Sequence, residues 1–293
     1  MPDDYTPIPG FHIIAESIND SVSTTHELFE KGDIAGVVAL AKAQAEAGAA
    51  FIDVNIGRRD PKFMGEVVRA IQKVVRCPLS IDSPDINIQR EGLSAYDPSL
   101  GGGMPLVNSI SELRLPILEL NKIQPFKAIF ICTERMENGA GQPNKTPQEI
   151  YETALRLHAC ACGAPYCFNN DRILFDPGVA PIGADFEGLT QCSIDAMRLI
   201  HADPALKGVH MSVGLSNFTQ MLPQKRANGE LVKTPLESAL LTLAMPLGLD
   251  YSIASTKKKY RILKDGDAPL IALREALAAG GMESIMRIQE FYS

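Results

Sequence analysis

Carboxylate and amide side chains follow a series of short apolar runs in this chain. A carboxylate accepts two parallel hydrogen bonds from adjacent N–H groups, whereas an amide donates with one atom and accepts with the other. Because few lysines or arginines accompany them, these side chains suit a neutral heterocycle rich in N–H donors better than a phosphate. The polar residues that end the runs are Glu16, Asn19, Asp53, Asn55, Asp82, Asn108, Asp176 and Asn217.

Such groups act together only if the fold brings the ends of the runs to one place. The runs are short and apolar, as buried parallel strands are, and helix-like segments separate them. We therefore expect an α/β fold, a (β/α)8 TIM barrel, with its active site at the C-terminal ends of the strands. The predicted strands cover residues 11–15, 51–54, 79–81, 106–108, 128–132, 173–175, 209–213 and 251–254.

The segments between these strands carry helix signals. Asp33 is a suitable N-cap and Gly48 a suitable stop for a helix over 33–49, and Pro61 suits the first position of a helix over 61–75. Four more segments are typical of helices, and the last two of them are predicted to be the final helices of the chain. They are residues 146–163, 184–204, 235–248 and 268–281.

Length and composition limit the class of protein. The 293 residues suit a single barrel domain over 1–293, and the net charge of −7 argues against nucleic acid or anionic lipid as a partner. The start of the chain lacks the features of a signal peptide, and no long apolar run predicts a membrane span, so we expect a cytoplasmic protein. The sequence has no GxGxxG, Walker, HExxH or GxSxG motif, which weakens the dehydrogenase, phosphohydrolase, zinc-protease and serine-hydrolase interpretations.

Three cysteines, Cys160, Cys162 and Cys167, follow His158 and raise the question of a metal site. On the predicted helix, residues two apart point about 200° away from each other and cannot share an ion without unwinding. We therefore expect thiols near a helix end, and no metal bound by this chain. The five histidines show no metal-ligand spacing, and none is assigned a catalytic role; they are His12, His26, His158, His201 and His210.

Six motifs, in order, resemble those of a known family. AESIN, FIDVNIG, SIDS, LVNSIS, LFDPG and VGLSNFTQMLPQKR are similar to the strand-end motifs of methyltetrahydrofolate:corrinoid methyltransferases, and the resemblance covers nearly the whole chain. These enzymes belong to the pterin-binding superfamily, which includes dihydropteroate synthase. The resemblance implies a (β/α)8 barrel, a homodimer, tetrahydrofolate or 5-methyltetrahydrofolate as substrate, and a corrinoid (cobalamin) carried by a partner protein.

The resemblance also implies roles for individual residues. Asp82, Asn108 and Asp176 match positions that hold the pterin ring, with Asp176 facing its 2-amino and N3–H groups. Asn217 matches the amide near pterin N5, so Asn217 and Asp176 are the catalytic candidates. The other matching positions lie at the pocket floor or rim, or in the loop after the seventh predicted strand; they are Glu16, Asn19, Asp53, Gly214, Ser216 and Arg226.

The chemistry explains the amide near N5. Removing a methyl group from N5 leaves electron density on nitrogen, so a proton or a strong hydrogen bond must reach N5 as the bond breaks. Asn217 can supply that hydrogen bond, and the methyl acceptor would be a Co(I) corrin on the partner. The same pocket serves the reverse reaction, and the sequence does not set the direction.

Two alternative functions stay open at this point. Dihydropteroate synthase shares the pterin pocket, but the first motif here is SINDS without the synthase's NxTPDSF run, and SNFTQ stands where the synthase carries a lysine. A non-catalytic folate-binding or corrinoid-docking module is the other alternative function.

The long polar loop 132–145 indicates a corrinoid partner different from that of the acetogen enzymes, as in the second methyltransferase of a demethylation system.

Simpler interpretations exist for several residues. Each strand-end carboxylate or amide alone would be assigned as a helix or turn cap, and Asp53 with Asn55 could form a satisfied polar layer inside the barrel. Arg58 and Arg59 either meet the folate tail or the corrinoid protein, or form an exposed pair. The basic run 257–261 is either a docking spot or solvated surface.

Overall fold

Eight parallel strands close into a barrel in this computed structural model, which describes residues 6–293. Each strand pairs with its sequence neighbour in the barrel, and the last pairs with the first. All eight predicted strands are confirmed, and the fold is a (β/α)8 TIM barrel. The barrel strands are β1 (His12–Asn19), β2 (Phe51–Asn55), β3 (Leu79–Asp82), β4 (Leu106–Ile110), β5 (Lys127–Ile131), β8 (Ile173–Asp176), β9 (His210–Gly214) and β10 (Leu249–Ala254).

The remaining two strands form an antiparallel hairpin, β6 (Glu134–Glu137) and β7 (Ala140–Pro143), in the loop after β5. The sequence predicts a long polar loop over 132–145 here. Its turn is Asn138-Gly139, where both residues have positive φ, 51° and 80°. An Asn-Gly pair favours a two-residue hairpin turn because asparagine and glycine tolerate this backbone region. The signal was therefore present in the sequence.

Helices cover the outside of the barrel. The six predicted helices are confirmed, although the one over 184–204 begins only at Leu189, because Gly188 before it has φ 73°. Five helices were not predicted: α4, the two single turns α5 and α8, α1, whose N-cap Val22 makes no side-chain hydrogen bond, and α11, which restarts at Gly281. The helices are α1 (Ser23–Glu30), α2 (Ile34–Glu46), α3 (Pro61–Gln72), α4 (Ile86–Ala95), α5 (Pro98–Gly101), α6 (Pro147–Cys162), α7 (Leu189–Ala202), α8 (Leu215–Phe218), α9 (Lys233–Ala244), α10 (Ala268–Ala279) and α11 (Gly281–Tyr292).

Capping residues fix several helix starts. Asp33 accepts a hydrogen bond from the backbone of Gly36 at 2.9 Å, as predicted for α2. The α6 start is a capping box in which Thr146 and Glu149 satisfy each other's backbone N–H groups. None of the helices within residues 6–293 is long and apolar enough to cross a membrane.

The barrel interior has an apolar layer at one end and a polar layer at the other. Phe51 and Leu106 belong to a buried cluster that fills the end nearer the strand N-termini. Two residues further along the same strands, Asp53 and Asn108 point to the same face, since strand side chains alternate. The outward-facing neighbours pack under the helices, as Val54 does. The polar layer therefore lies at the C-terminal mouth.

Candidate active site

A cavity of about 520 Å³ lies at the C-terminal mouth of the barrel. Its walls come from β1, β2, β3, β4 and β10 and from the segment that follows β9. Eight of the ten site residues predicted from the sequence line it: Glu16, Asn19, Asp53, Asp82, Asn108, Gly214, Ser216 and Asn217. The structure thus brings together groups that are far apart in sequence, such as Ser216 and Glu16, which are 200 positions apart.

Asp176, the ninth predicted residue, lines an adjoining cavity of about 510 Å³. Gly214 and Asn217 line both cavities, so Asn217 lies where the two meet. The Asp176 carboxylate accepts a hydrogen bond from the backbone N–H of Gly178 at 2.8 Å. Burial nevertheless raises the pKa of Asp176 to about 6, because the charged form loses its hydration.

Arg226, the tenth predicted site residue, lies outside both cavities. Its guanidinium carbon is 4.0 Å from the centre of the Phe291 ring in α11, and its Nη1 is 3.5 Å from a carboxylate oxygen of Glu230. Arg226 is not among the residues that line either cavity. The structure therefore does not bring this side chain together with the other nine.

The floor of the first cavity holds two neighbouring carboxyl groups, Asp53 and Asp82, each of which shifts the pKa of the other. Ser80 Oγ donates to Asp53 Oδ1 at 2.6 Å, and Asn55 Nδ2 donates to Asp82 Oδ2 at 2.8 Å. Burial, and then the neighbouring Asp82 charge, raise the pKa of Asp53 well above its usual range. Burial also raises the pKa of Asp82. The pair therefore retains a proton more readily than two exposed carboxyls would.

A third acid, Glu16, faces the cavity from β1. The Ser216 hydroxyl donates a hydrogen bond to Glu16 Oε1. Burial raises the pKa of Glu16, and the positive charge of nearby Lys258 opposes this shift. Lys258 itself pairs with the fully buried Glu237, with Nζ–Oε1 at 2.6 Å.

Asn217 is carried by α8, a single helical turn directly after β9. Its side chain is exposed and has no hydrogen-bond partner within residues 6–293. A free amide at the junction of two cavities can donate to one ligand atom and accept from another.

The profile of the pterin-binding enzyme family matches residues 17–255, which include every barrel strand wholly or in part. The chain belongs to this family of enzymes. A methylcorrinoid:tetrahydrofolate methyltransferase from Eubacterium limosum is 28% identical over 255 residues, which is 82% of this chain and 83% of the relative.

Solved structures of other pterin-binding enzymes share the fold. A dihydropteroate synthase from Xanthomonas albilineans with 4-aminobenzoic acid is 18% identical, covers 94% of this chain and 91% of its own, and gives a TM-score of 0.50. The Yersinia pestis dihydropteroate synthase in a sulfonamide drug complex is 14% identical, with coverages of 96% and 92% and a TM-score of 0.53. At these identities the likeness concerns the barrel alone.

The sequence analysis of this pterin-binding enzyme did not single out several residues of the site. Ser80 donates to Asp53 on the floor, and Gln44 in α2 accepts the backbone N–H of Ser17 at 2.9 Å. Asn55, which donates to Asp82, was already among the strand-end residues named from the sequence. Ser80 stands two residues before Asp82 and so shares its face, a signal that alternation alone could have revealed. Lys257 from the basic run 257–261 also lines the first cavity.

The two arginines after β2 differ in their surroundings. Arg59 contacts Asp20 and Glu30, each at 2.5 Å, and lies over the Phe29 ring, so its charge is already paired. Both arginines line a neighbouring cavity of about 470 Å³ next to Asn55, and Arg58 is the more exposed of the two. Arg59 is therefore engaged by acidic neighbours, whereas Arg58 is exposed.

The cysteine cluster lies on the outside of the barrel. Cys162 Sγ is 3.4 Å from His158 Nε2, which in turn lies 2.7 Å from Asn170 Oδ1. Cys160 and Cys167 are exposed. Across residues 6–293, no group of three or more histidine, cysteine, aspartate or glutamate side chains is arranged to hold a metal ion.

Proposed function

We propose that this enzyme exchanges a methyl group between the cobalt of a corrinoid protein and N5 of tetrahydrofolate. The observation that carries the proposal is the convergence of Asp82, Asn108 and Asn217 on one cavity at the barrel mouth. The similarity to the Eubacterium limosum methyltransferase over most of both chains supports it.

The pocket suits the pterin ring of tetrahydrofolate. Carboxylates and an amide oxygen accept from the ring's N–H groups, and Asp176, ionised above about pH 6, accepts from the 2-amino and N3–H pair. Asn217 is then free to contact N5. Most of the catalytic effect would come from positioning and polarisation, without a covalent enzyme intermediate.

The proton balance gives Asn217 its role. In methyl transfer to tetrahydrofolate, the N5 lone pair attacks the methyl carbon, the cobalt–carbon electron pair stays on cobalt as Co(I), and the N5 proton passes to solvent water. In the reverse direction N5 gains electron density and must be protonated. The Asn217 amide can accept from N5–H in the first case and donate to N5 in the second.

Dihydropteroate synthase chemistry fits this pocket less well. That reaction releases pyrophosphate, which requires cationic side chains, whereas acids and amides dominate the first cavity and Lys257 is its one lysine among the described residues. In the second cavity Lys145 is already paired with Glu187 at 2.6 Å.

The assembly follows from the same proposal. The methyl carrier is a separate corrinoid protein, and the hairpin β6–β7 beside the second cavity is a surface it could contact.

We also propose one pterin-binding domain over 1–293 and a homodimer, as the family resemblance implies. The enzyme would act as the second methyltransferase of a demethylation system. Light scattering and cell fractionation test the dimer and the predicted cytoplasmic location.

The decisive experiment mixes the purified enzyme with methylcobalamin and tetrahydrofolate under anaerobic conditions. We expect the absorption spectrum of Co(I) to appear, and not to appear without enzyme. Folate binding without Co(I) would favour a non-catalytic module. Pyrophosphate release from dihydropterin pyrophosphate with p-aminobenzoate would instead identify a synthase.

A further inference from the structure

The hydrogen bonds around Asp53 have a fixed direction. Asn108 Nδ2 and Ser80 Oγ both donate to Asp53 Oδ1, at 3.3 and 2.6 Å. The Asp53 and Asp82 carboxyls both line the cavity and lie close enough to shift each other's pKa. Two carboxyl groups form a hydrogen bond only if one of them carries a proton.

This arrangement decides what the cavity presents to a ligand. The side-chain nitrogen of Asn108 donates to Asp53, so the side-chain carbonyl oxygen of Asn108 is free to accept a hydrogen bond from a ligand in the cavity. Asp82 accepts a hydrogen bond from Asn55 and retains further acceptor capacity, which can serve a proton on Asp53 and a ligand. The floor therefore offers acceptors, which match a ring edge made of N–H donors.

Asp53 itself is a poor ligand contact. It is 1% exposed, so its oxygens offer almost no surface to a bound molecule. The charged groups that face the pair are Glu16 on β1 and Lys257 after β10, which line the same cavity, and Arg114 after β4, whose charge acts on Asp82. Arg114 lies 3.5 Å from Glu134, so its charge is partly neutralised, and the proton remains the main means of relieving repulsion within the pair.

We propose that Asp53 is a positioning residue that works as a neutral acid: it donates its proton to Asp82 and accepts from Asn108, and so directs acceptor oxygens toward the pterin ring. Asp53 would thus determine specificity for a donor-rich ring edge without touching it. This inference rests on one part of the proposed function, namely that the cavity binds the pterin ring of tetrahydrofolate.

The test compares the same isosteric change at the two carboxyls. In Asp53→Asn, the new amide nitrogen can donate to Asp82 and the amide oxygen can accept from Ser80 and Asn108. In Asp82→Asn, a required acceptor is lost. Anaerobic titration calorimetry with tetrahydrofolate should show Asp53→Asn within about threefold of the wild-type Kd, and Asp82→Asn weaker by about tenfold or more.

Two further measurements separate this role from a structural one. Asp53→Ala should bind about tenfold more weakly than Asp53→Asn, because the donor to Asp82 is gone. The wild-type affinity should fall at alkaline pH as the pair loses its shared proton, whereas the affinity of Asp53→Asn should not show that fall. Circular dichroism and thermal melts establish that each variant is folded. If Asp53→Ala does not fold, the Kd values of Asp53→Asn and Asp82→Asn and the pH profiles still test the proposal.

The outcomes are distinguishable. Equal Kd values for Asp53→Asn and Asp82→Asn, or an alkaline fall retained by Asp53→Asn, would overturn the role of Asp53 while leaving pterin binding intact. Failure of the folded wild-type enzyme to bind tetrahydrofolate would overturn both this inference and the proposed function. Binding without methyl transfer would remove the proposed reaction alone.

Discussion

Gly214 leaves the space that the Asn217 side chain occupies. A Cβ atom on Gly214 would lie 2.8 Å from Asn217 Nδ2 and 3.4 Å from its Cγ. The φ of Gly214 is −81°, which any residue adopts, so this position requires glycine for space and not for backbone freedom. The last residue of β9 thus fixes where the amide at the junction of the two cavities can lie.

Gly214→Ala should therefore displace Asn217 and slow methyl transfer. We expect a loss of about tenfold or more, because misplacing a catalytic group by a fraction of an ångström to 1 Å is costly. Anaerobic stopped-flow detection of Co(I) measures the rate. The matched control is Gly266→Ala, where a Cβ would meet nothing within 4 Å. Equal rates for the two variants would show that this contact does not position the amide.

Asn217→Ala should lower the rate much more than the affinity for folate. Loss of one preorganised hydrogen bond to the reacting atom costs about 10²-fold in rate, whereas the Kd should change less than about tenfold. Single-turnover kinetics and calorimetry separate the two effects. Asn228→Ala removes an exposed amide that accepts the Glu230 N–H in the same loop, and serves as control. An unchanged rate for Asn217→Ala would remove it from the mechanism.

Asp176 should give folate binding an acidic limit. Its pKa is about 6 in the free enzyme, and only the ionised carboxylate accepts both hydrogen bonds of the donor pair. Affinity should therefore rise with pH and level off above about 6, falling toward tenfold per pH unit below that value. Asp176→Asn should bind folate weakly, and its affinity should not fall further at acidic pH. If the affinity of the variant still falls at acidic pH, a group other than Asp176 is responsible for the titration.

The Lys258–Glu237 ion pair should be essential for stability. Glu237 is fully buried and also accepts from Thr219 Oγ1 at 2.5 Å, while Lys258 contacts both of its carboxylate oxygens. Lys258→Met leaves that charge unpaired, and we expect a loss of about 3–5 kcal/mol in the free energy of unfolding. Urea titration measures it. The double variant Lys258→Met with Glu237→Gln should recover part of the loss, and no recovery would argue against the ion pair as the cause.

His210 should make stability depend on pH at the opposite end of the barrel. Its Nδ1 lies 2.5 Å from Asp250 Oδ2, and this hydrogen bond raises the pKa of His210. A histidine with a raised folded-state pKa stabilises the fold below its unfolded pKa of about 6.5, and the contribution disappears as pH rises through the folded value. Asp250→Asn should thus cost about 1 kcal/mol near pH 6 and less near pH 9. A cost that is the same at both pH values would contradict this linkage.

The barrel and its polar mouth were predictable because both depend on local patterns. Short apolar strands such as 51–54 and 79–81 are marked by flanking turns and helix caps, and alternation places Asp53 and Asp82 on the inner face. Strand order in a parallel barrel then brings their C-terminal ends together. The hairpin turn Asn138-Gly139 carried an equally local signal.

Other features depended on contacts between distant segments, which the sequence does not encode as a pattern. Lys258, in a run that resembles solvated surface, pairs with Glu237, and Arg226 packs against Phe291 in a helix that was not predicted. The place of Asn217 between two cavities and the shared proton of Asp53 and Asp82 follow from barrel closure and burial. The amino-acid sequence by itself determined which groups face the mouth, and only the tertiary structure decided how they bond to one another, because burial and approach distance arise when the strands assemble.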